Sequence, residues 1–103
     1  MQEFSGRVAL VTGTTGIGRA VAKRFAEGGA SVLVCGIESA GNTDLVEEAT
    51  KLGLALRVEK CDVARPDEVC SAVGNAVSAF GGLDIIVNAV WWRMPLRKEQ
   101  FTV

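Results

Sequence analysis

The chain has no histidine and only three cysteines among its 103 residues. Cys35, Cys61 and Cys70 show none of the spacings by which thiols hold a metal, so a metal centre is excluded. An odd number of thiols inside apolar stretches reads as reduced cysteines, and core packing is the expectation for all three. Charge of one sign is missing too, the net charge being −1. No broad field draws the chain to nucleic acid or to an anionic membrane, and neither is an expected partner. No apolar run approaches the ~20 residues of a membrane span. Residues 1–6 lack the charged-then-apolar order of a secretion signal, so a cytoplasmic protein is expected. Internal repeats and low-complexity tracts are absent.

What is present is a small globular unit: 49% of the residues are hydrophobic and 22% charged, a balance that favours folding over disorder. The rest of the chain is organised around Val8 to Arg19. Arg7 to Val11 is an apolar strand, residues 13–18 form a glycine-rich turn, and Ile17, Ala20, Val21 and Phe25 recur at helical spacing. Glycines at such a turn remove Cβ atoms, so that the backbone can bend sharply and a phosphate can approach the N–H groups of the helix start. That arrangement holds a dinucleotide pyrophosphate in α/β proteins.

The remaining elements alternate. Gly28 and Gly29 close the first helix, and Ala30 to Cys35 is a continuously apolar strand of the kind buried in a parallel sheet. Residues 36–39 form a loop. Thr43 to Leu52 reads as a helix with Leu45, Val46, Ala49 and Leu52 on one face. Leu54 to Cys61 alternates as a third strand. Pro66 suits a first helical position, and Asp67 and Glu68 suit the positive end of the helix dipole. This third helix turns Val69, Ala72, Val73, Ala76, Val77 and Phe80 inward and ends at Gly81 and Gly82. Leu83 to Ala89 is a fourth strand.

The order βαβαβαβ with short, right-handed connections predicts an α/β, Rossmann-like three-layer fold: a parallel sheet ordered 3-2-1-4 with helices on both faces. The strand order reverses beside the first strand, which predicts a ligand crevice at the C-terminal ends of the strands. Residues 1–89 are thus read as a dinucleotide-binding half-domain and residues 90–103 as an irregular tail. Trp91, Trp92, Arg93, Arg97 and Lys98 are too few, on too acidic a chain, to make a stacking nucleic-acid patch. An apolar tail seeking a partner is the preferred reading.

Gly6 to Gly13, Gly16 to Ala20, Gly29-Ala30, Cys61-Asp62-Val63 and Gly82 to Ala89 together resemble the N-terminal half of a short-chain dehydrogenase/reductase, in order and in spacing. The resemblance implies an NAD(P)-dependent oxidoreductase. It puts Gly13, Thr14, Thr15, Gly16, Ile17 and Gly18 around the pyrophosphate, Asp62 and the Val63 backbone at the adenine, and Asn88 and Ala89 near the ribose. The residues themselves also allow Asp62 to cap the following helix and Asn88 to satisfy loop backbone.

Departures from the family pattern bear on function. Two residues, not three, separate Gly13 from Gly16, so one loop N–H is re-aimed; such a bond to a charged partner is worth roughly 1.5–3 kcal/mol. The family's glycine after Ala89 is replaced by Val90, followed by Trp91. A G inserted after the Ala89 codon would restore that glycine, which fits a frameshifted or truncated product. Gly36 and Ile37 stand where the family has an acid for the ribose or an arginine for a 2′-phosphate; nearby Glu38 favours NAD slightly, and the sequence leaves the choice between NAD and NADP open. The family's proton donor is a tyrosine, and this sequence has none. Thr12, Thr14, Thr15 and Ser39 read as loop hydroxyls, so nucleotide binding without turnover is expected. Without the family's later strands, the fourth strand would be an open edge inviting a second copy or another chain. The alternative is a non-enzymatic fragment or degenerate product that associates with such a chain.

Overall fold

The computed structural model describes residues 3–89. It contains β1 (Val8–Thr12), α1 (Gly16–Glu27), β2 (Ser31–Gly36), α2 (Ser39–Leu52), β3 (Leu56–Lys60), α3 (Pro66–Phe80) and β4 (Ile85–Asn88). The four strands are parallel and ordered β3-β2-β1-β4, as the alternation of elements predicts. The irregular tail expected over residues 90–103, with Trp91 and Trp92, lies outside the described residues.

Each central strand feeds two cores because successive side chains point to opposite faces. Ala9, Val11, Val32 and Val34 face α1 and α2, where they meet Ala22, Ala26 and Leu45. Leu10, Leu33 and Cys35 face α3 and pack with Cys61, Ala72 and Ala76. All five residues of β1 are buried, whereas the outer strands β3 and β4 are only partly covered. This explains why β1 and β2 read as unbroken apolar runs: a strand covered on both faces has no solvent side. The small alanines of α1 and α3 let both helices lie close to the sheet. Full burial of Leu10 and Leu45 contributes about 1.5–3 kcal/mol each.

Three local features fix the frame. The Phe4 N–H donates to the Gly28 carbonyl (2.8 Å) and its ring packs edge-on against Phe25, closing the end of α1. Asp84 clamps the start of β1: its N–H donates to the Val8 carbonyl (2.9 Å), and its carboxylate accepts the Val8 N–H (2.8 Å). Glu48 of α2 accepts from both Arg19 and Lys23 of α1, joining the two helices on one face.

Several boundaries and faces depart from expectation. Helix α2 starts at Ser39, four residues before Thr43, and β4 starts at Ile85 rather than Leu83. Val46, Leu52 and Val77 are about half exposed rather than turned inward. Cys70 is exposed, which corrects its reading as a core residue, while Cys35 and Cys61 are buried. Among the described residues no helix is long and apolar enough to cross a membrane.

Candidate nucleotide crevice

The C-terminal ends of β1, β2 and β4 and the loop after β3 enclose a crevice of about 490 Å³, lined by residues 13–17, 35–38, 61–63 and Ala89. Its size falls in the ~300–1,000 Å³ range of small-molecule sites. The first wall is the turn between β1 and α1. The Gly13 N–H donates to the Cys35 carbonyl (2.6 Å), which ties the turn to the end of β2. Gly13 (φ +105°) and Gly16 (φ +57°) both take the left-handed conformations that glycine adopts without strain. Two such residues let the chain pass from strand to helix with only Thr14 and Thr15 between them.

Thr15 is the N-cap of α1, in extended conformation and with no side-chain capping bond. The N–H groups of Gly16, Ile17 and Gly18 have no acceptor within the helix, and the positive end of the helix dipole lies here. A Cβ on Gly16 would meet nothing within 4 Å, so the space above it is open to a ligand. Gly18 has a different task. A Cβ there would lie 2.4 Å from the Gly13 oxygen and 2.9 Å from the Thr12 oxygen, so this glycine lets α1 sit against the end of β1.

Thr14 turns inward and is only 3% exposed. It occupies the place where a side chain at residue 36 would stand: a Cβ on Gly36 would lie 2.4 Å from both Thr14 Oγ1 and Asn42 Oδ1. The Asn42 amide donates to the Gly36 carbonyl (2.9 Å). A Cβ on Gly41 would in turn lie 2.7 Å from the Thr15 methyl, so the first turn of α2 rests on the shortened glycine loop. The missing acid at the end of β2 thus has a steric reason. Glu38, exposed at the N-cap of α2, and Asp62 are the charged side chains among the lining residues; none of these is a lysine or arginine.

Asp62 Oδ1 accepts the Ala64 N–H (2.9 Å) and the Asp62 carbonyl accepts the Arg65 N–H (2.9 Å), making a turn ahead of α3. The N-cap of α3 itself is Arg65. On the β4 side the Thr12 hydroxyl donates to Asn88 Oδ1 (2.8 Å) and accepts the Ala89 N–H (3.0 Å). Burial pushes the Cys35 thiol up to about 12 and raises Cys61 as well, with the neighbouring sulfur adding to the shift at Cys35. Both are neutral thiols at pH 7 and give the crevice an apolar floor.

Of the residues expected at a nucleotide site, Gly13, Thr14, Thr15, Gly16, Ile17, Asp62, Val63 and Ala89 meet in this crevice. Gly18 lies behind it as a packing residue, and Asn88 is engaged with Thr12. Gly36, Ile37 and Glu38, read from the sequence as the ribose end of the site, line the crevice too, and Cys35 and Cys61 join them without having been expected to. Their signal was positional: they stand at or just beyond the C-terminal ends of parallel strands, where such folds bind ligands.

Residues 7–99 match the family model for short chain dehydrogenases. The chain is 40% identical over 86 residues to 3β-hydroxysteroid dehydrogenase 2 of Eggerthella lenta, an alignment covering 82% of this chain and 33% of that protein. It is 35% identical over 100 residues to L-fucose dehydrogenase of Oryctolagus cuniculus, covering 96% and 34% respectively. Among solved structures, an actinorhodin polyketide ketoreductase with NADPH superposes with a TM-score of 0.81 at 30% identity, covering 96% of this chain and 40% of that one. The chain spans about a third of the length of these two curated relatives.

Proposed function

The chain belongs to the short-chain dehydrogenase family, and from that premise we propose that it is the dinucleotide-binding part of a cytoplasmic NAD(P)-dependent oxidoreductase, binding the cofactor in the crevice at the ends of β1, β2 and β4. One observation carries the reading. A helix start with free N–H groups, an open position over Gly16, and the loops after β2 and β3 face a single crevice. In this reading the N–H groups of residues 16–18 hold the pyrophosphate. Asp62 accepts from the adenine amino group, and its bond to Ala64 fixes the turn that presents it. Thr12 holds Asn88 and Ala89 against the end of β1, beside the ribose. The bound cofactor supplies or accepts hydride.

NAD is preferred over NADP in this reading. A 2′-phosphate would bring negative charge towards Glu38 without a lining cation to meet it. The 103 residues alone bind without turnover, because no tyrosine is present to protonate a developing alkoxide. In this reading β4 meets a second copy of the chain or another chain, supported by Ile86, which is 62% exposed on that strand. Equilibrium titration with NAD⁺ and NADP⁺, followed by a dehydrogenase assay on the same sample, tests the proposal. Saturable binding of NAD⁺ with no turnover is the expected result; no binding of either nucleotide overturns it.

A further inference from the structure

Asp62 is held by more than its own turn. The strand pairing of β3 ends at Cys61, whose N–H donates to the Gly36 carbonyl (3.1 Å). The next N–H, that of Asp62, donates to Glu68 Oε1 (3.0 Å), a side chain from the first turn of α3. The Asp62 carbonyl accepts the Arg65 N–H (2.9 Å), and Asp62 Oδ1 accepts the Ala64 N–H (2.9 Å). Three bonds therefore meet on one residue that lines the crevice. Among the described residues its remaining oxygen, Oδ2, accepts no hydrogen bond. The Ala64 and Arg65 bonds lie within the turn and would move with it. The Glu68 bond reaches Asp62 from α3, which Ala72 and Ala76 seat against the sheet.

This is not the ordinary closing of a helix start. In a capping box the third helical residue reaches back to the N-cap N–H. Arg65 is the N-cap and Pro66 the first helical residue, so Glu68 is that third residue. The Arg65 N–H is already taken by the Asp62 carbonyl, and Glu68 reaches three residues further back instead. Its other oxygen, Oε2, pairs with Arg65 Nε (3.1 Å), which sets an opposite charge beside it and limits its repulsion of the Asp62 carboxylate. Glu68 is not among the residues lining the crevice, so any effect on a ligand passes through Asp62.

We propose that Glu68 is a positioning residue for base recognition: by tying Asp62 to α3 it fixes the free carboxylate oxygen and makes the crevice selective for a 6-amino purine over a 6-oxo purine. The proposal rests on the reading that places the adenine at Asp62. A 6-amino group donates to the carboxylate, whereas a 6-oxo group sets two acceptors against each other. A turn released from α3 lets the carboxylate retreat from a 6-oxo group. Selectivity, rather than overall affinity, is therefore what Glu68 controls.

Equilibrium titration of the 103-residue chain with NAD⁺ and with nicotinamide hypoxanthine dinucleotide, its 6-oxo counterpart, tests the proposal. The parent chain should bind NAD⁺ at least roughly tenfold more tightly, as the loss of a charged hydrogen bond requires. In Glu68→Ala that ratio should fall below about threefold. Glu68→Gln keeps an acceptor for the Asp62 N–H and should keep the ratio within about twofold of the parent's. A residue that only stabilised the fold would weaken both dinucleotides alike and leave the ratio unchanged. Hydrogen exchange of the free parent chain needs neither variant nor nucleotide. There the Asp62 amide should exchange at least about tenfold more slowly than the Val63 amide, corrected for intrinsic rates, since Val63 N–H makes no hydrogen bond among the described residues. Equal binding of the two dinucleotides by the parent, an unchanged ratio in Glu68→Ala, a ratio lost equally in Glu68→Gln, or an Asp62 amide as labile as that of Val63 overturns the proposal and leaves nucleotide binding standing. Binding of neither dinucleotide overturns both.

Discussion

The Thr12 hydroxyl sits between Asn88 and Ala89, donating to the Asn88 side-chain oxygen at 2.8 Å and accepting the Ala89 N–H at 3.0 Å. One buried side chain thus joins the ends of β1 and β4 and holds Ala89 beside the glycine turn. Thr12 is 7% exposed, so water replaces these bonds poorly once they are lost.

Replacing Thr12 by valine keeps the shape and removes both bonds. A buried donor left without a partner costs about 1–3 kcal/mol. The urea midpoint of Thr12→Val should fall accordingly, while Thr12→Ser should retain most of the stability. Equal midpoints for Thr12→Val and the parent chain would remove Thr12 from this role.

Gly16 and Gly18 separate two reasons for glycine. Gly16→Ala meets no atom but is strained at φ +57°, a cost of about 1–2 kcal/mol. Gly18→Ala has no such strain, yet its Cβ would meet two carbonyl oxygens at 2.4 and 2.9 Å. Overpacking of this kind costs about 1–3 kcal/mol and moves backbone. Denaturation should show both variants destabilised. Only Gly18→Ala should shift amide resonances in both β1 and α1.

The ion pairs of Glu48 make a pH-dependent contribution. Hydrogen bonds from Lys23 and then Arg19 lower the Glu48 carboxyl below its ordinary value of 4.5. A depressed folded-state value means stabilisation that is fully present above about pH 4.5 and is lost as pH falls through the lowered value. Unfolding midpoints of the parent chain and Glu48→Gln should therefore differ at pH 7 and converge in acid. Added salt should narrow the difference at pH 7, since the pairs are partly solvated.

In the proposed reading, cofactor preference follows the charge at the end of β2. At exposed positions a unit-charge repulsion near 4 Å is worth about 1 kcal/mol, so NAD⁺ should bind roughly thirtyfold tighter than NADP⁺ given a dianionic 2′-phosphate. Glu38→Arg should reverse the order. Competitive titration measures both constants, and an unchanged order in Glu38→Arg would contradict the assignment.

Self-association through β4 should depend on its exposed apolar face. Ile86→Lys places a charge on that face, a device that blunts sheet edges. Sedimentation should show at least a tenfold weaker association for this variant. A parent chain that remains monomeric at high concentration would refute the edge pairing.

Much of this fold was legible because β1 and β2 are buried on both faces and give unbroken apolar runs, with glycines marking the turns between elements. The start of α2 was hidden. Gly41 and Asn42 read locally as helix breakers, but Gly41 makes room for Thr15, and Asn42 is held by the Gly36 carbonyl. Both reasons lie in tertiary contacts that local sequence does not carry. The half-exposed Val46 and Val77 followed the helical period without being covered by a neighbour. At the crevice, spacing marked the glycine turn, whereas Asp62 was legible only through the family resemblance. Cys35 and Cys61 were legible as core residues, Cys70 was misread as one, and the place of the first two beneath the crevice depends on β2 and β3 ending side by side.

Amide chemical-shift mapping during titration of the ¹⁵N-labelled chain with NAD⁺ tests nucleotide binding most directly. The account predicts saturable shifts largest at residues 16–18, with further changes at residues 36–38, 62–63 and 89. Shifts centred elsewhere, or no shift at saturating nucleotide, would contradict it.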